Sequence, residues 1–212
     1  MEIAINQPSL FVQPAEHGVQ LLTRDGSALY YQSVFGESES TGILLDLIEG
    51  VDWNQEFINM YGRRLPIPRQ TAWFGDSRAS YNYSHIDNIP RPWTPLLLHI
   101  KAKVEVLART AFNSVLLNLY RTGSDSVSWH ADDEPELGDE PIIASVSFGA
   151  KRTFQFKSIA DNKERISVPL ESGSVLIMSG ASQRAWLHQV PKKKTSTERV
   201  NLTFRVVGRK TS

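Results

Sequence analysis

The chain has 212 residues, 41% of them hydrophobic and 22% charged, which suits one large domain with a buried core. It contains no cysteine, so disulfides, thiolate-bound zinc, iron–sulfur clusters and a cysteine nucleophile are excluded. The net charge is +0, and no apolar run of about 18 residues or basic leader predicts membrane insertion or secretion. We expect a monomer that contacts no membrane, in the cytoplasm or, in a eukaryote, in the nucleus.

Two helices are predicted in the first half of the chain, after a loose lead-in over residues 1–15. "ALYYQSVF" indicates a strand, and "ESTGILLDLIEGV" a short helix with one apolar side. In "WTPLLLHIKAKVEVLARTAF", Thr94 is placed to cap a second helix that begins at Pro95. The apolar residues of that helix recur every three or four positions: Leu97, Ile100, Val104, Leu107 and Ala111.

Short strands separated by turn residues follow from residue 113 to residue 207. Helices followed by about eight strands predict an α+β fold, a double-stranded β-helix (jelly roll) with the helices packed outside one sheet. We expect residues 1–212 to form a single domain and residues 113–207 to form its catalytic core.

Basic residues are clustered, although the total charge is balanced. The clusters lie at residues 61–69, 150–152, 191–195 and near the C-terminus. Such patches can attract phosphates locally, but solvated loops account for each of them equally well.

The stretch "SWHADDE", Ser128–Glu134, places a histidine two residues before an acid. Residues two apart on a strand face the same way, so His130 and Asp132 can point at one spot. "AWLHQVP" supplies His188 as a third ligand, and two histidines with one carboxylate form the set typical of non-haem Fe(II) oxygenases. Because this spacing is common by chance, a solvated acidic surface remains the other interpretation.

In "RVNLTFR" every second residue is polar: Arg199, Asn201, Thr203 and Arg205. An exposed edge strand would show the same pattern. Inside a core, two arginines would need anions to balance them, and a dicarboxylate co-substrate would do so. Upstream, Asn118 and Tyr120 share one strand face and can donate further hydrogen bonds.

These stretches, together with "NSVLLNLY" and "SVSFGAKRTFQF", resemble the AlkB family of Fe(II)- and 2-oxoglutarate-dependent nucleic-acid dealkylases. The resemblance covers about residues 60–207 and is closest to the animal homologues that repair DNA. It implies that the catalytic Fe(II) is held by His130, Asp132 and His188. It implies that 2-oxoglutarate is bound by Asn118, Tyr120, Arg199, Asn201, Thr203 and Arg205, with Arg199 at the distal carboxylate.

The reaction implied by the resemblance is oxidative demethylation of 1-methyladenine and 3-methylcytosine in DNA, or in RNA, with dioxygen as second co-substrate. This direct-reversal repair releases formaldehyde and succinate. One alternative is a 2-oxoglutarate dioxygenase acting on a protein or small molecule. Another is a jelly roll that binds nucleic acid without chemistry.

The same resemblance assigns substrate contacts. Residues 58–92 would form a nucleotide-recognition lid, and aromatic residues of the lid would stack on a flipped base. If the strand of His130 and Asp132 continues, Glu134 points toward the same cavity, where the resemblance gives it the role of favouring cationic bases. On that strand Asp133 would point away and pair with Arg69. The substrate-binding residues are thus predicted to be Tyr61, as a wedge in duplexes, and Arg69, Phe74, Tyr81, Tyr83, Asp133 and Glu134. Ordinary packing or a solvated turn is the alternative for each, and Trp129 and Trp186 are expected in the core.

Overall fold

The described part of the chain consists of short β-strands with three α-helices. The computed structural model describes residues 18–60, 62–77, 79, 81–83, 86–88, 90–195 and 197–208, with only the backbone described at residues 60, 81–83 and 86–88. The helices are α1 (Glu37–Gly50), α2 (Pro95–Ala108) and α3 (Ser182–Ala185), with a 3-10 turn at Pro135–Leu137. The strands are β1 (Val19–Gln20), β2 (Ser27–Tyr31), β3 (Phe57–Met60), β4 (Arg63–Pro66), β5 (Gln70–Gly75), β6 (Tyr81–Tyr83), β7 (Ile86–Asn88), β8 (Ser114–Tyr120), β9 (Val127–His130), β10 (Ile143–Gly149), β11 (Arg152–Ser158), β12 (Arg165–Leu170), β13 (Ser174–Ser179), β14 (Trp186–Val190) and β15 (Arg199–Arg205).

Most of these strands belong to two antiparallel sheets. The large sheet has the order β1-β2-β13-β10-β15-β8-β5, and the small sheet has the order β12-β11-β14-β9. A cluster of buried side chains from both sheets, including Tyr120, Phe154, Phe156 and Leu176, lies between them. On β11 buried and half-buried residues alternate, as expected for a strand with one face toward a core. The predicted jelly roll is confirmed.

The two long helices cover the outer face of the large sheet. Their buried residues, such as Leu47 and Ile100, pack in one cluster with Val115 and Phe204 of the sheet. The predicted position of the helices, outside one sheet, is therefore confirmed. Within the described part of the chain, no helix has the length and apolarity needed to cross a membrane.

The cap predicted for α2 is present. The Thr94 hydroxyl accepts a hydrogen bond from the backbone N–H of Leu97 at 3.2 Å. The helix ends where Arg109 adopts a left-handed conformation with φ 51°. Ala111 therefore lies beyond the helix and is exposed, Leu107 is half-buried, and the last buried residue of the helix is Ala108.

The predicted lid, residues 58–92, is divided by the structure. Strands β3 and β4 form one separate hairpin and β6 and β7 another, but β5 pairs with β8 as the edge strand of the large sheet. Phe74 on β5 is only 6% exposed and belongs to the core beneath the helices. The prediction that Phe74 stacks on a base is wrong, because β5 turns this ring away from the space between the sheets. Residues 1–15, Tyr61 and the side chains of Tyr81 and Tyr83 lie outside the described residues.

Candidate active site

Three predicted metal ligands converge between the two sheets. His130 ends β9 and His188 lies opposite it on β14, because these two residues are register partners. Asp132 follows β9 by two residues, and one ligand atom from each of the three side chains lies within 4.8 Å of the others. The sequence prediction that His130, Asp132 and His188 face one spot agrees with this geometry.

Neighbouring groups fix the orientation of both imidazoles. Nδ1 of His130 lies 2.8 Å from the carbonyl oxygen of Ser128, so Nδ1 carries the proton and the Nε2 lone pair is left for a metal. The His188 ring stacks on Phe154 with centroids 5.2 Å apart and meets the His130 ring edge-on at 4.2 Å. Burial lowers the pKa of His188 to about 3, which keeps the imidazole neutral and able to coordinate a cation.

The carboxylate of Asp132 is buried and already paired. Its Oδ1 accepts from Nη2 of Arg205 at 2.7 Å. Burial works to raise the pKa of Asp132, but Arg205 and the two histidines outweigh it, so this pKa lies below its usual range. The backbone N–H of Asp132 donates to Oε1 of Gln183 on α3 at 3.0 Å. Sequence reasoning missed Gln183, since no local pattern links α3 to Asp132.

Most of the predicted co-substrate residues line one cavity of about 190 Å³ beside the ligands. Asn201 pairs in register with Asn118, and Arg199 with Tyr120, because β15 and β8 are neighbours in the large sheet. Nδ2 of Asn201 donates to Ser145 Oγ and to the carbonyl of Val146, both at 2.8 Å. Thr203 and Arg205 complete the polar side of the cavity.

Arg199 does not line this cavity itself but lies behind Tyr120, which does, and we call the Tyr120 side of the cavity its arginine end. It is 1% exposed, with its guanidinium 5.0 Å from the centre of the Tyr120 ring, and Nη2 donates to Ser147 Oγ. Its Nε and Nη1 have no hydrogen-bond partner among the described residues. Burial lowers the pKa of Arg199, with Tyr120 working against this and Arg152 adding to it. These unused N–H groups favour an anion close by.

Arg152 is a second buried guanidinium that the sequence prediction placed in a basic surface cluster. That interpretation is wrong for Arg152, which is 1% exposed and lies 5.4 Å from the Tyr120 ring centre. Its Nη2 donates to the carbonyls of Asp125 and Pro191 at 2.8 and 2.7 Å. The alternation in "RTFQFKS" was the available signal, because it places Arg152 on the same strand face as Phe154.

Glu134 lines the cavity, but for a reason other than the predicted one. Strand β9 ends at His130, so no continuing strand directs Glu134 inward. Glu134 instead precedes the 3-10 turn, and its carbonyl accepts from Leu137 N at 2.9 Å. Its Oε2 is buried and has no hydrogen-bond partner in the part of the chain that is described.

The predicted pair between Asp133 and Arg69 is not formed. Asp133 is exposed, as expected for a residue that points away from the cavity. Arg69 lines the cavity and donates from Nε to Oδ1 of Asn118 at 2.8 Å. Arg69 directly precedes β5, and the pairing of β5 with β8 places Asn118 beside it.

The side chains fit both groups that the resemblance implies. Two imidazoles and one carboxylate within 4.8 Å of one another form a nitrogen and oxygen donor set suited to Fe(II). The buried, unpartnered nitrogens of Arg199 suit a carboxylate of 2-oxoglutarate. The three metal-ligand candidates and Tyr120, against which Arg199 packs, line the same cavity.

Comparison with known proteins agrees with this site. The sequence model of the 2OG-Fe(II) oxygenase superfamily matches residues 27–205. The human DNA oxidative demethylase ALKBH2 is 35% identical over 194 residues, which cover 86% of this chain and 74% of that protein. The chain belongs to the AlkB family of the 2OG-Fe(II) oxygenase superfamily. Membership implies Fe(II), 2-oxoglutarate and dioxygen as the cofactor and co-substrates.

Other relatives agree with the predicted likeness to animal homologues. The human protein named alpha-ketoglutarate-dependent dioxygenase alkB homolog 3 is 44% identical over 187 residues, covering 84% of this chain and 65% of that protein. The same-named protein of Mus musculus is 44% identical over 179 residues, covering 80% and 62%. The chain thus spans less than two thirds of the length of these two relatives. The solved structure of OsALKBH1 has a TM-score of 0.59 at 20% identity, over 87% of this chain and 99% of that one, which shows the shared fold.

Proposed function

We propose that this protein demethylates alkylated bases in DNA, with 1-methyladenine and 3-methylcytosine as its preferred lesions. The observation that carries the proposal is the position of Glu134. Glu134 lines the same cavity as His130, Asp132 and His188, and its buried Oε2 has no hydrogen-bond partner among the described residues. An anion at this position favours a base with positive charge and an exocyclic amine to donate, and both lesions have these properties.

The residues of the chain divide the work between two ends of the cavity. Fe(II) would be held by His130, Asp132 and His188, and with 2-oxoglutarate and dioxygen bound it supplies the oxidation of a methyl group. Arg199 and Tyr120 would anchor the distal carboxylate of 2-oxoglutarate, while Arg205 holds Asp132 in place through its 2.7 Å contact. The apolar side chains of Leu116, Phe154 and Met178 line the remaining wall and limit water there.

His130 is placed where a base can enter. Its side chain is 40% exposed, whereas Asp132 beside it is 5% exposed, so the cavity opens on the His130 side. A base must leave its stack to reach buried ligands, and the imidazole offers it one flat face. The names of the human relatives, a DNA oxidative demethylase and an alkB homolog, support this reaction.

The test is release of formaldehyde with matched succinate from oligonucleotides that carry 1-methyladenine or 3-methylcytosine. Methylated single-stranded DNA, duplex DNA and RNA should be compared in competition, with the same unmethylated sequences as controls. We expect formaldehyde from methylated DNA alone or in excess over RNA. Succinate without formaldehyde from any oligonucleotide would contradict the proposal and favour a protein or small-molecule substrate.

The proposal also includes a monomeric protein that is located in the nucleus or the cytoplasm, and a role for Tyr61 on duplex substrates. The monomeric state is tested by sedimentation at micromolar concentration, and the nuclear or cytoplasmic location is tested by fractionation of the source cells.

The role of Tyr61 as a wedge in duplexes is tested by Tyr61→Ala, which should slow turnover of duplexes several-fold and leave turnover of single strands nearly unchanged. Loss on both substrates together would remove Tyr61 from this role.

A further inference from the structure

On the outer face of the small sheet alternate residues reach solvent, whereas the outer face of the large sheet is covered by helices. On β12 the residues that point away from the cavity are exposed, beginning with Arg165, and those on β11 are half-buried. Trp129 on β9 is half-buried on this same outward side. The expectation that Trp129 lies in the core is therefore wrong, whereas Trp186 is buried as expected.

Two cations on this face are placed directly opposite each other. Lys157 of β11 is the register partner of Arg165 of β12. Like charges opposite one another on neighbouring strands destabilise a sheet. Neither side chain forms an ion pair with any described carboxylate, since Glu164 pairs with Arg24 and Asp161 Oδ1 accepts from the backbone of Lys163. The pair costs stability without an acidic group that would offset it.

An aromatic ring brings the two cations together. Nζ of Lys157 lies 4.8 Å from the centre of the Trp129 ring, and Cζ of Arg165 lies 5.6 Å from it. Cation–π attraction holds both positive groups over the ring without neutralising them. The ring and its two cations thus form one surface, which we call the Trp129 patch.

The Trp129 patch adjoins the opening of the cavity. β9 is the edge strand of the small sheet, and Trp129 directly precedes the ligand His130 on it. Successive residues of a strand point to opposite faces, so the ligand faces the cavity and the indole faces solvent. A polymer that places one unit at His130 can pass around this edge and reach both cations.

We infer that the Trp129 patch binds the sugar–phosphate backbone of the strand whose base enters the cavity. The inference rests on the proposed function. It commits to nucleic acid because a polyanion offers the phosphates that Lys157 and Arg165 lack, next to an aromatic ring of the kind that single strands use. The patch contributes affinity for the polymer and takes no part in the chemistry.

The experiment is binding of the full chain to a fluorescent, unmethylated single-stranded 20-mer of deoxythymidine, measured by anisotropy over a salt series. Lys157→Gln combined with Arg165→Gln removes both charges. Since each phosphate contact contributes about 0.7 to the slope of log Kd against log salt on single strands, the slope should fall by about 1.4. The Kd at low salt should rise about tenfold, from the same two contacts.

Two further variants are controls: the first keeps the charges of the patch but changes the side-chain shapes, and the second removes a charge elsewhere. Lys157→Arg with Arg165→Lys keeps both cations and should keep the wild-type slope. Arg109→Gln removes an exposed cation at the end of α2, the helix that packs on the large sheet away from this patch, and should change neither the slope nor the Kd.

Kinetics separate the patch from the active site. With a methylated 20-mer, the charge-free double variant should show a raised KM for the oligonucleotide, an unchanged kcat and an unchanged KM for 2-oxoglutarate. The inference would be overturned if a folded double variant kept the wild-type affinity and slope. It would also be overturned if the double variant lost as much affinity for polyglutamate as for the oligonucleotide. Absence of formaldehyde from the wild-type enzyme would instead contradict the proposed function, which distinguishes the two failures.

Discussion

The two ends of the cavity differ in how their charges are balanced. At the metal end, the Asp132 carboxylate is already paired with Arg205. At the arginine end, Arg199 and Arg152 are both buried behind Tyr120, and neither forms an ion pair with a described carboxylate. The metal end is therefore preorganised before a ligand arrives, whereas the arginine end is stabilised most when an anion binds. This difference suits a metal cation at the first end and a carboxylate of a co-substrate at the second.

The largest expected effect comes from breaking the metal end. Asp132→Ala removes the only carboxylate of the predicted ligand set and leaves Arg205 without its anion. Turnover should be lost and bound Fe(II) should fall below detection, as measured by elemental analysis and formaldehyde release. The matched control is Asp133→Ala, which should retain turnover and bound Fe(II) because Asp133 is exposed. Activity in Asp132→Ala would end the assignment of this ligand set.

The arginine end is tested by a change that keeps the charge of Arg199. Arg199→Lys replaces a planar fork by a single ammonium, so the paired contact with a carboxylate is lost. We expect the KM for 2-oxoglutarate to rise about 10- to 100-fold, since hydrogen bonds to charged groups contribute about 1.5–3 kcal/mol. The KM for the oligonucleotide should stay constant. An unchanged KM for 2-oxoglutarate would move the anchor to Arg205.

A smaller effect should follow when the Asp132 backbone loses its partner. Gln183→Leu removes the oxygen that accepts from Asp132 N–H, while the shape of the buried side chain is nearly kept. Groups that orient metal ligands contribute about 10-fold or more to metal affinity. Titration with Co(II) should therefore show about tenfold weaker binding, and Gln183→Glu, which keeps an acceptor, should restore most of it. Equal affinity in all three proteins would make Gln183 a packing residue only.

The smallest effect is expected for base selection. Glu134→Gln keeps a hydrogen-bond acceptor but removes the charge, so turnover of 1-methyladenine and 3-methylcytosine should fall several-fold more than turnover of the neutral 1-methylguanine. Competition between the lesions within one reaction measures this ratio. Glu136→Gln, a change in the adjacent turn, is the control. A uniform loss across all lesions would assign Glu134 a structural role.

The sequence was informative about this cavity wherever one strand decides which way a side chain points. Arg199, Asn201, Thr203 and Arg205 alternate along β15, and Asn118 and Tyr120 along β8, so period-two spacing placed each set on one face. The helix cap at Thr94 was equally predictable, because it depends on a hydrogen bond three residues away. Such features need no knowledge of distant contacts.

Other predictions depended on which element lies next to which. Phe74 could stack on a base only if β5 belonged to the lid, but β5 pairs with β8 and turns this ring into the core. Arg69 was expected to meet Asp133, but the same pairing places it against Asn118. Sheet order is a long-range property, and short stretches of sequence do not encode it.

The sequence by itself predicted the jelly roll from its succession of short strands, placed His130 and Asp132 on one face by local spacing, and carried the motifs that resemble the AlkB family. Only the tertiary structure decided that Arg152 is buried behind Tyr120, that Gln183 supports Asp132, and that Trp129 carries two cations on the outside. The physical reason is that burial and charge balance are set by neighbours from distant parts of the chain, which pack together only when both sheets have formed.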